Sequence, residues 1–281
     1  MLRVHLSRAA QLGALFVLTT VSIASSAEPD ATTSASTDRA LLAAINGPTR
    51  SPAFKARDGL RHPYDELKFF GITAQSSVVE ILPIGGYWTE ILAPYLKDHG
   101  VYYTAMPPKT SGGAGAAATA AFQTKLETDP ETYGRVKITE FGPPAAKIAP
   151  DESADFVLTF RNLHNWMKQG NADQVLASFY AALKPGGILG VEDHRGNRAG
   201  TQDPKALDGY VQQDYAIALI KQAGFEFVGS TEINANPKDT ANWPKGVWTL
   251  PPTLALGQTD RATYEAIGEA DNFVLKFRKP R

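Results

Sequence analysis

The 281-residue chain contains no cysteine. Disulfides, thiolate catalysis, cysteine-ligated zinc and a lipid-modified cysteine are excluded, and such a chain suits an oxidising compartment. An excess of either charge is also missing: 28 Lys and Arg face 29 Asp and Glu, a formal net charge of -1. With no basic surplus to hold a phosphate backbone, nucleic acid is not an expected partner. The chain has no G-x-S-x-G nucleophile turn, which speaks against the hydrolases built on one. No internal repeat is visible, and beyond Ile23 no apolar run reaches membrane length. What the chain does have is a hydrophobic content of 43%, enough for a core, in a length that suits one large domain.

The N-terminus has three parts in order. Arg3 and Arg8 are basic, Leu12-Gly13-Ala14-Leu15-Phe16-Val17-Leu18 begins an apolar stretch, and Ala24-Ser25-Ser26-Ala27 is small-residue chain. This is the layout of a secretory signal peptide cleaved after Ala27, with a buried N-terminal helix as the alternative reading. Export to the periplasm or medium follows, with no stable membrane insertion once the signal is removed. Residues 28–37 are rich in Ser, Thr and Ala and read as a disordered spacer, leaving 38–281 as the folded domain.

Within that domain, residues 38–45, 51–59 and 63–70 read as short helices. Strand-length apolar runs follow at 77–82, 101–105, 135–139, 155–160 and 188–192, separated by helical segments near 88–96, 117–127 and 173–183. This alternation predicts an α/β fold: a doubly wound, mostly parallel sheet covered by helices on both faces. The runs 225–228 and 273–277 have no long helix between them, so they are expected to pair antiparallel at one edge. The polar stretch from 196 to 271 is expected to cover the site or complete the sheet edge.

Four segments carry a resemblance. They are Val78-Val79-Glu80-Ile81-Leu82-Pro83-Ile84-Gly85-Gly86, residues 155–166, Leu183-Lys184-Pro185-Gly186-Gly187, and the strand from Phe273. Together they resemble the Rossmann-like S-adenosylmethionine-dependent methyltransferases, a seven-stranded fold with an antiparallel edge strand. More narrowly, Tyr87-Trp88-Thr89-Glu90-Ile91-Leu92-Ala93-Pro94 and Leu158-Thr159-Phe160-Arg161-Asn162-Leu163-His164-Asn165-Trp166 look like a bacterial group of often exported predicted methyltransferases. The resemblance implies S-adenosyl-L-methionine as cofactor and methyl transfer to a small-molecule acceptor. It implies cofactor contacts from Glu80, Gly85, Gly86, Tyr87 and Asn162.

Read physically, a strand ends in a glycine turn and a helix begins, which bares backbone N–H groups to a ligand. The other reading is a turn whose glycines serve chain reversal alone. Two departures from the family pattern predict weak cofactor affinity. Leu82 and Ile84 stand where the pattern has glycine, and the second strand ends in Ala105-Met106-Pro107 without the acid that grips a ribose.

Strand ends in a doubly wound sheet share one rim, so the loops after residues 82, 160 and 192 should converge. His164 and His194 are the candidate catalytic residues, His164 as a base near neutral pH. Arg161, Trp166 and Arg195 are candidate substrate contacts: the arginines for an acidic group, the indole as a wall. The plainer reading makes His164 a loop cap and Trp166 core. A metal is not expected, because Glu192-Asp193-His194-Arg195 has no ligand spacing. The rival function is a degenerate methyltransferase fold that binds another small ligand or a partner without chemistry. Sequencing of protein from the exported fraction of the producing cell should start at Glu28, and an intact Met1 on a cytoplasmic product contradicts export.

Overall fold

A computed structural model describes residues 1–2, 31–142, 147–197 and 200–281. The expected signal segment and its cleavage site lie outside the described residues. No helix of the described residues is long and apolar enough to cross a membrane.

Seven strands form one sheet: β1 Ser77–Ile81, β2 Val101–Met106, β3 Lys137–Glu140, β4 Ala154–Phe160, β5 Leu183–His194, β6 Glu226–Thr231 and β7 Asn272–Arg278. Their order is β3-β2-β1-β4-β5-β7-β6. The first five are parallel, and β7 is antiparallel to both β5 and β6. The two C-terminal strands do pair antiparallel at one edge, as expected; β7 lies inside and β6 is the outermost strand.

Side chains alternate between two cores, as a period of two requires. Val79, Ile81, Val157, Leu189, Val191 and Leu275 pack one face against Trp166, Leu176, Phe179 and Ile220, from the helices Leu163–Gln169, Ala172–Ala182 and Gln213–Gln222. Val78, Leu158 and Val274 pack the other against Leu41, Leu67, Phe70, Ile91, Leu92 and Phe122. These come from the helices Ala31–Ile45, Pro63–Phe70, Thr89–Leu96 and Gly113–Glu127.

The first helix corrects one expectation. It starts at Ala31, so the segment read as a spacer is helical from there on. Leu41, Ala44 and Ile45 are anchored in the core, and once a helix is nucleated, adding Ala, Ser and Thr residues at its end costs little.

The stretch from 196 to 271 supplies the helix Gln213–Gln222 and the edge strand β6, and its later part, around Val247–Thr253 and Glu269, meets the carboxyl ends of β4 and β5. It holds a small apolar cluster of its own, Tyr210, Val247, Leu250, Tyr264 and Ala270. Asp239 ties it together: its carboxylate accepts from Tyr210 Oη (3.0 Å), Trp243 Nε1 (2.7 Å) and the backbone N–H of Asp271 (2.9 Å).

Gly190 in β5 leaves no room for a side chain. A Cβ there would lie 2.8 Å from both Leu158 Cδ2 and Phe70 Cε1. Gly190→Ala should therefore lower unfolding stability by about 1–3 kcal/mol through overpacking, read by urea denaturation. An unchanged midpoint contradicts this packing.

Candidate functional site

The carboxyl ends of β1, β4 and β5 leave the sheet at one rim, where they build two distinct places. The first is the glycine turn after β1. Leu82 enters it in the left-handed region at φ 51°, and Gly85 and Gly86 both sit at φ 84°. Two tight bonds close it, Ile84 N–H to Leu82 O (2.6 Å) and Gly86 N–H to Pro83 O (2.7 Å). Only glycine takes such φ values freely, so the turn explains both glycines. Leu82 packs against the core, and Ile84 is 63% exposed. The bulk of Leu82 is therefore taken into the core, while that of Ile84 stays exposed on the turn.

Other groups lie on the turn instead. The space of a Gly86 Cβ is taken by the methylenes of Lys125, 2.9 Å away, and Phe54 reaches to 3.9 Å of a Gly85 Cβ. Lys125 Nζ donates to Glu90 Oε1 (2.6 Å), whose carboxylate also accepts from the backbone and hydroxyl of Ser51 (2.7 and 2.6 Å). Glu80 is sealed below. It accepts from Tyr102 Oη and from Thr89 Oγ1 (3.2 Å), and burial pushes its carboxyl up to about 7 against those hydrogen bonds. Tyr87 donates to Asp58 (2.7 Å) and carries the Arg61 guanidinium over its ring at 4.5 Å. Asn162 Nδ2 faces the Phe160 carbonyl (3.2 Å), Thr159 Oγ1 (3.3 Å) and the Ile81 carbonyl (3.4 Å), lacing β4 to β1.

The second place is a cavity of about 250 Å³ lined by Arg61, Arg161, His164, Asn165, His194, Trp248, Pro251, Pro252 and Glu269. None of Glu80, Gly85, Gly86, Tyr87 and Asn162 lines it. Here His164, His194 and Arg161 come together as expected. The reason is local: His164 starts the helix after β4, while His194 ends β5.

Asp193, fully buried between them, holds the ring of His164 and the backbone of His194. Its Oδ1 lies 2.8 Å from His164 Nδ1 and accepts the His194 N–H (2.7 Å), and its Oδ2 accepts the His164 N–H (3.0 Å). Burial opposes its charge, but the His164 ring and these hydrogen bonds hold it below the usual carboxylate range. An ionised carboxylate only accepts, so His164 carries its proton on Nδ1. His194 Nδ1 lies 2.7 Å from Asn272 Oδ1 and donates in the same way. Among the described residues, Nε2 of neither ring has a hydrogen bond, and the rings lie 5.3 Å apart. Burial pushes His194 down to about 3 despite Asp193 beside it. His194 is thus a neutral acceptor near pH 7, and too weak a base to take a proton there.

His164, Asp193 and His194 do offer ligand atoms within 4.8 Å of one another. Asp193 has spent both oxygens on the histidines, so two imidazole nitrogens remain, short of the set that zinc sites use.

Glu269 holds the other wall. Its carboxylate takes Arg57 Nε (2.5 Å), Arg161 Nη1 (2.7 Å) and Arg61 Nε (3.2 Å). Burial works against it, but the Arg57 hydrogen bond and the charges of Arg61 and Arg161 bring it down to about 2. Behind Arg161 stand Glu192 and Glu66, bridged by Asn234 Nδ2 at 3.3 and 2.8 Å. Burial, and then the charge of Glu192, pushes Glu66 well above the carboxylate range.

Two expected substrate contacts are corrected. Trp166 is core, tilted against Phe141 at 5.7 Å and edge-on to Phe179 at 5.4 Å, because it lies one helical turn inside the sheet-facing stripe. Trp248 supplies the wall instead, 6.1 Å from the His164 ring. Arg195 bonds Glu232 (2.5 Å) and the Asn272 carbonyl (3.1 Å), outside the cavity, since its backbone leaves β5 toward Asp271. Arg61, Glu269 and Asp193 were not among the expected site residues. The Arg57 and Arg61 pair, spaced by one helical turn, was the available signal for two of the groups around Glu269.

No protein-family model and no curated protein sequence matches the chain. Solved structures do. A SAM dependent methyltransferase from Aquifex aeolicus matches at 13% identity and a TM-score of 0.55, over 82% of this chain and 94% of that one. The fold is the Rossmann-like methyltransferase fold. The [4+2]-cyclase SpnF matches at 15% identity and a TM-score of 0.56, over 89% of this chain and 95% of that one. At such identities the likeness is one of fold.

The ion cluster makes a pH prediction. A carboxyl held at about 2 in the fold, against an ordinary 4.5, contributes stability above 4.5 that is lost as pH falls toward 2. Glu269→Gln should cost about 3 kcal/mol at pH 7, with the gap to wild type closing between pH 4.5 and 2. A gap that stays constant over this window in urea titrations contradicts the clamp.

Proposed function

We propose that this protein is an exported S-adenosylmethionine-dependent methyltransferase for a small acceptor, with the acceptor in the Arg61–His164–His194 cavity. One observation carries the reading: an Asp193–His164 pair sits at the carboxyl end of β4 and β5, with His164 Nε2 left over at a cavity. An imidazole fixed by a buried carboxylate is the arrangement of a positioned general base.

The glycine turn fits the amino-acid end of such a cofactor. Gly85 and Gly86 bare the backbone, Leu82 packs into the core, and the groups in the way are ends of flexible side chains, Lys125 and Phe54. The adenosine end has less, since no carboxylate stands after β2. Bound there, the cofactor would supply the methyl group. The protein's part is positioning: Asp193 fixes the His164 tautomer, and His164 Nε2 takes the proton that the acceptor's hydroxyl or amine loses. His194 receives a hydrogen bond without becoming charged.

A second reading, a ligand-binding protein without methyl transfer, is favoured by the separation of cavity and turn. Trp88 stacks on Phe160 at 4.3 Å where the segment after the turn meets the end of β4. A cyclase on the same fold shows that the fold leaves the chemistry open.

Calorimetric titration with S-adenosylmethionine and S-adenosylhomocysteine separates the two. Weak binding that Lys125→Ala tightens several-fold, with turnover lost in His164→Asn, supports the transferase. His164→Asn keeps a donor beside Asp193, so the buried charge is not stranded. No binding of either compound to wild type or Lys125→Ala contradicts it.

A further inference from the structure

We propose that the cavity beside Arg61 binds its ligand through a single carboxylate, so that the acceptor is a small monocarboxylic acid carrying a hydroxyl or amine. The proposal rests on reading this cavity as the acceptor site and adds the substrate class.

Arg61 carries the argument. Its side chain is 7% exposed, and its only hydrogen bonds among the described residues run from Nε to Glu269, at 3.2 and 3.4 Å. The Nη groups of a nearly buried guanidinium that lines a cavity are therefore unused. Neither Nη is among the buried polar atoms without a partner, so both open onto the cavity, where an anion can accept from the two together. The fork of a guanidinium matches a carboxylate with two parallel bonds.

Three guanidiniums, Arg57, Arg61 and Arg161, converge on Glu269. Glu192 lies 3.7 Å from Arg161 Nε, and the ionised Asp193 stands between the two histidines. The walls are therefore close to charge balance, which suits a ligand with one charge better than a doubly charged phosphate, and the free donors of Arg61 place that charge.

The remaining walls describe the rest of the ligand. Val247, Trp248, Pro251 and Pro252 supply the apolar lining, with the Trp248 ring 6.1 Å from the His164 ring. The volume of about 250 Å³ falls just below the ordinary range for small-molecule sites, so the ligand is small.

The test compares 4-hydroxybenzoate with its methyl ester by isothermal titration against the mature protein. The two differ by the charge. The acid should bind at least about tenfold more tightly than the ester, the usual size of a hydrogen-bonded charge contact. Arg61→Gln should abolish that preference and Arg61→Lys should keep part of it. Arg261→Gln, on the surface beside Glu265 at 2.8 Å, should leave it intact. Equal affinity for acid and ester, or no binding of the acid at millimolar concentration, overturns the proposal. So does displacement of the acid by S-adenosylmethionine, which would make the carboxylate the cofactor's own. Acid binding in a protein that transfers no methyl group leaves this inference standing and removes the transferase. Cofactor binding and turnover without an acid preference does the reverse.

Discussion

Charge that leaves water must be matched at close range, and at the carboxyl rim of this sheet Glu269 is the match for three guanidiniums. Arg57 and Arg61 come from the turns before β1, Arg161 from the end of β4 and Glu269 from the approach to β7. One carboxylate thus joins the N-terminal segment, the sheet and the covering region. The cavity exists because these parts meet around an ion cluster instead of closing into an apolar core. The same cluster orients Arg161, whose left-handed backbone (φ 61°) is held by its own N–H on the Glu192 carbonyl at 2.7 Å.

Next to it, Asp193 does for the histidines what Glu269 does for the arginines. A carboxylate at the end of a buried strand accepts three hydrogen bonds, all from His164 and His194. The His164 ring is fixed by Asp193 and the His194 ring by Asn272 before any ligand arrives, which is the preorganisation that positioned acid–base groups require. The glycine turn is built differently. Its backbone is open, and what covers it is a lysine chain and a phenyl ring that can move. One part of the rim is rigid and charged, the other bare and loosely covered.

Much of this was legible in the residues, and the limits have physical reasons. The strands were plain because buried parallel strands read as short apolar runs. The meeting of His164 and His194 followed from the rule that parallel strand ends share a rim. Trp166 and Arg195 were misplaced because adjacent residues at a strand or helix end point in different directions, and a phase error of one residue decides between cavity and core. Leu82 was placed at the turn correctly, but its packing into the core depends on a left-handed φ that a leucine rarely takes. Arg61 and Glu269 lie more than 200 residues apart, with |i−j| of 208, and no local pattern links them. Trp248 was visible as part of a covering region, without a way to say which of its aromatic residues faces the site.

The account turns on His194 being a neutral hydrogen-bond acceptor that is fixed by Asn272 and half-buried beside Asp193. Histidine nitrogen NMR on the purified protein reads this directly. The prediction is a neutral ring protonated on Nδ1 from pH 8 down to 5, consistent with a value near 3 in place of the ordinary 6.5. A His194 signal that titrates near 6.5 would show a ring open to solvent, and the cavity described here would not be the one the protein has.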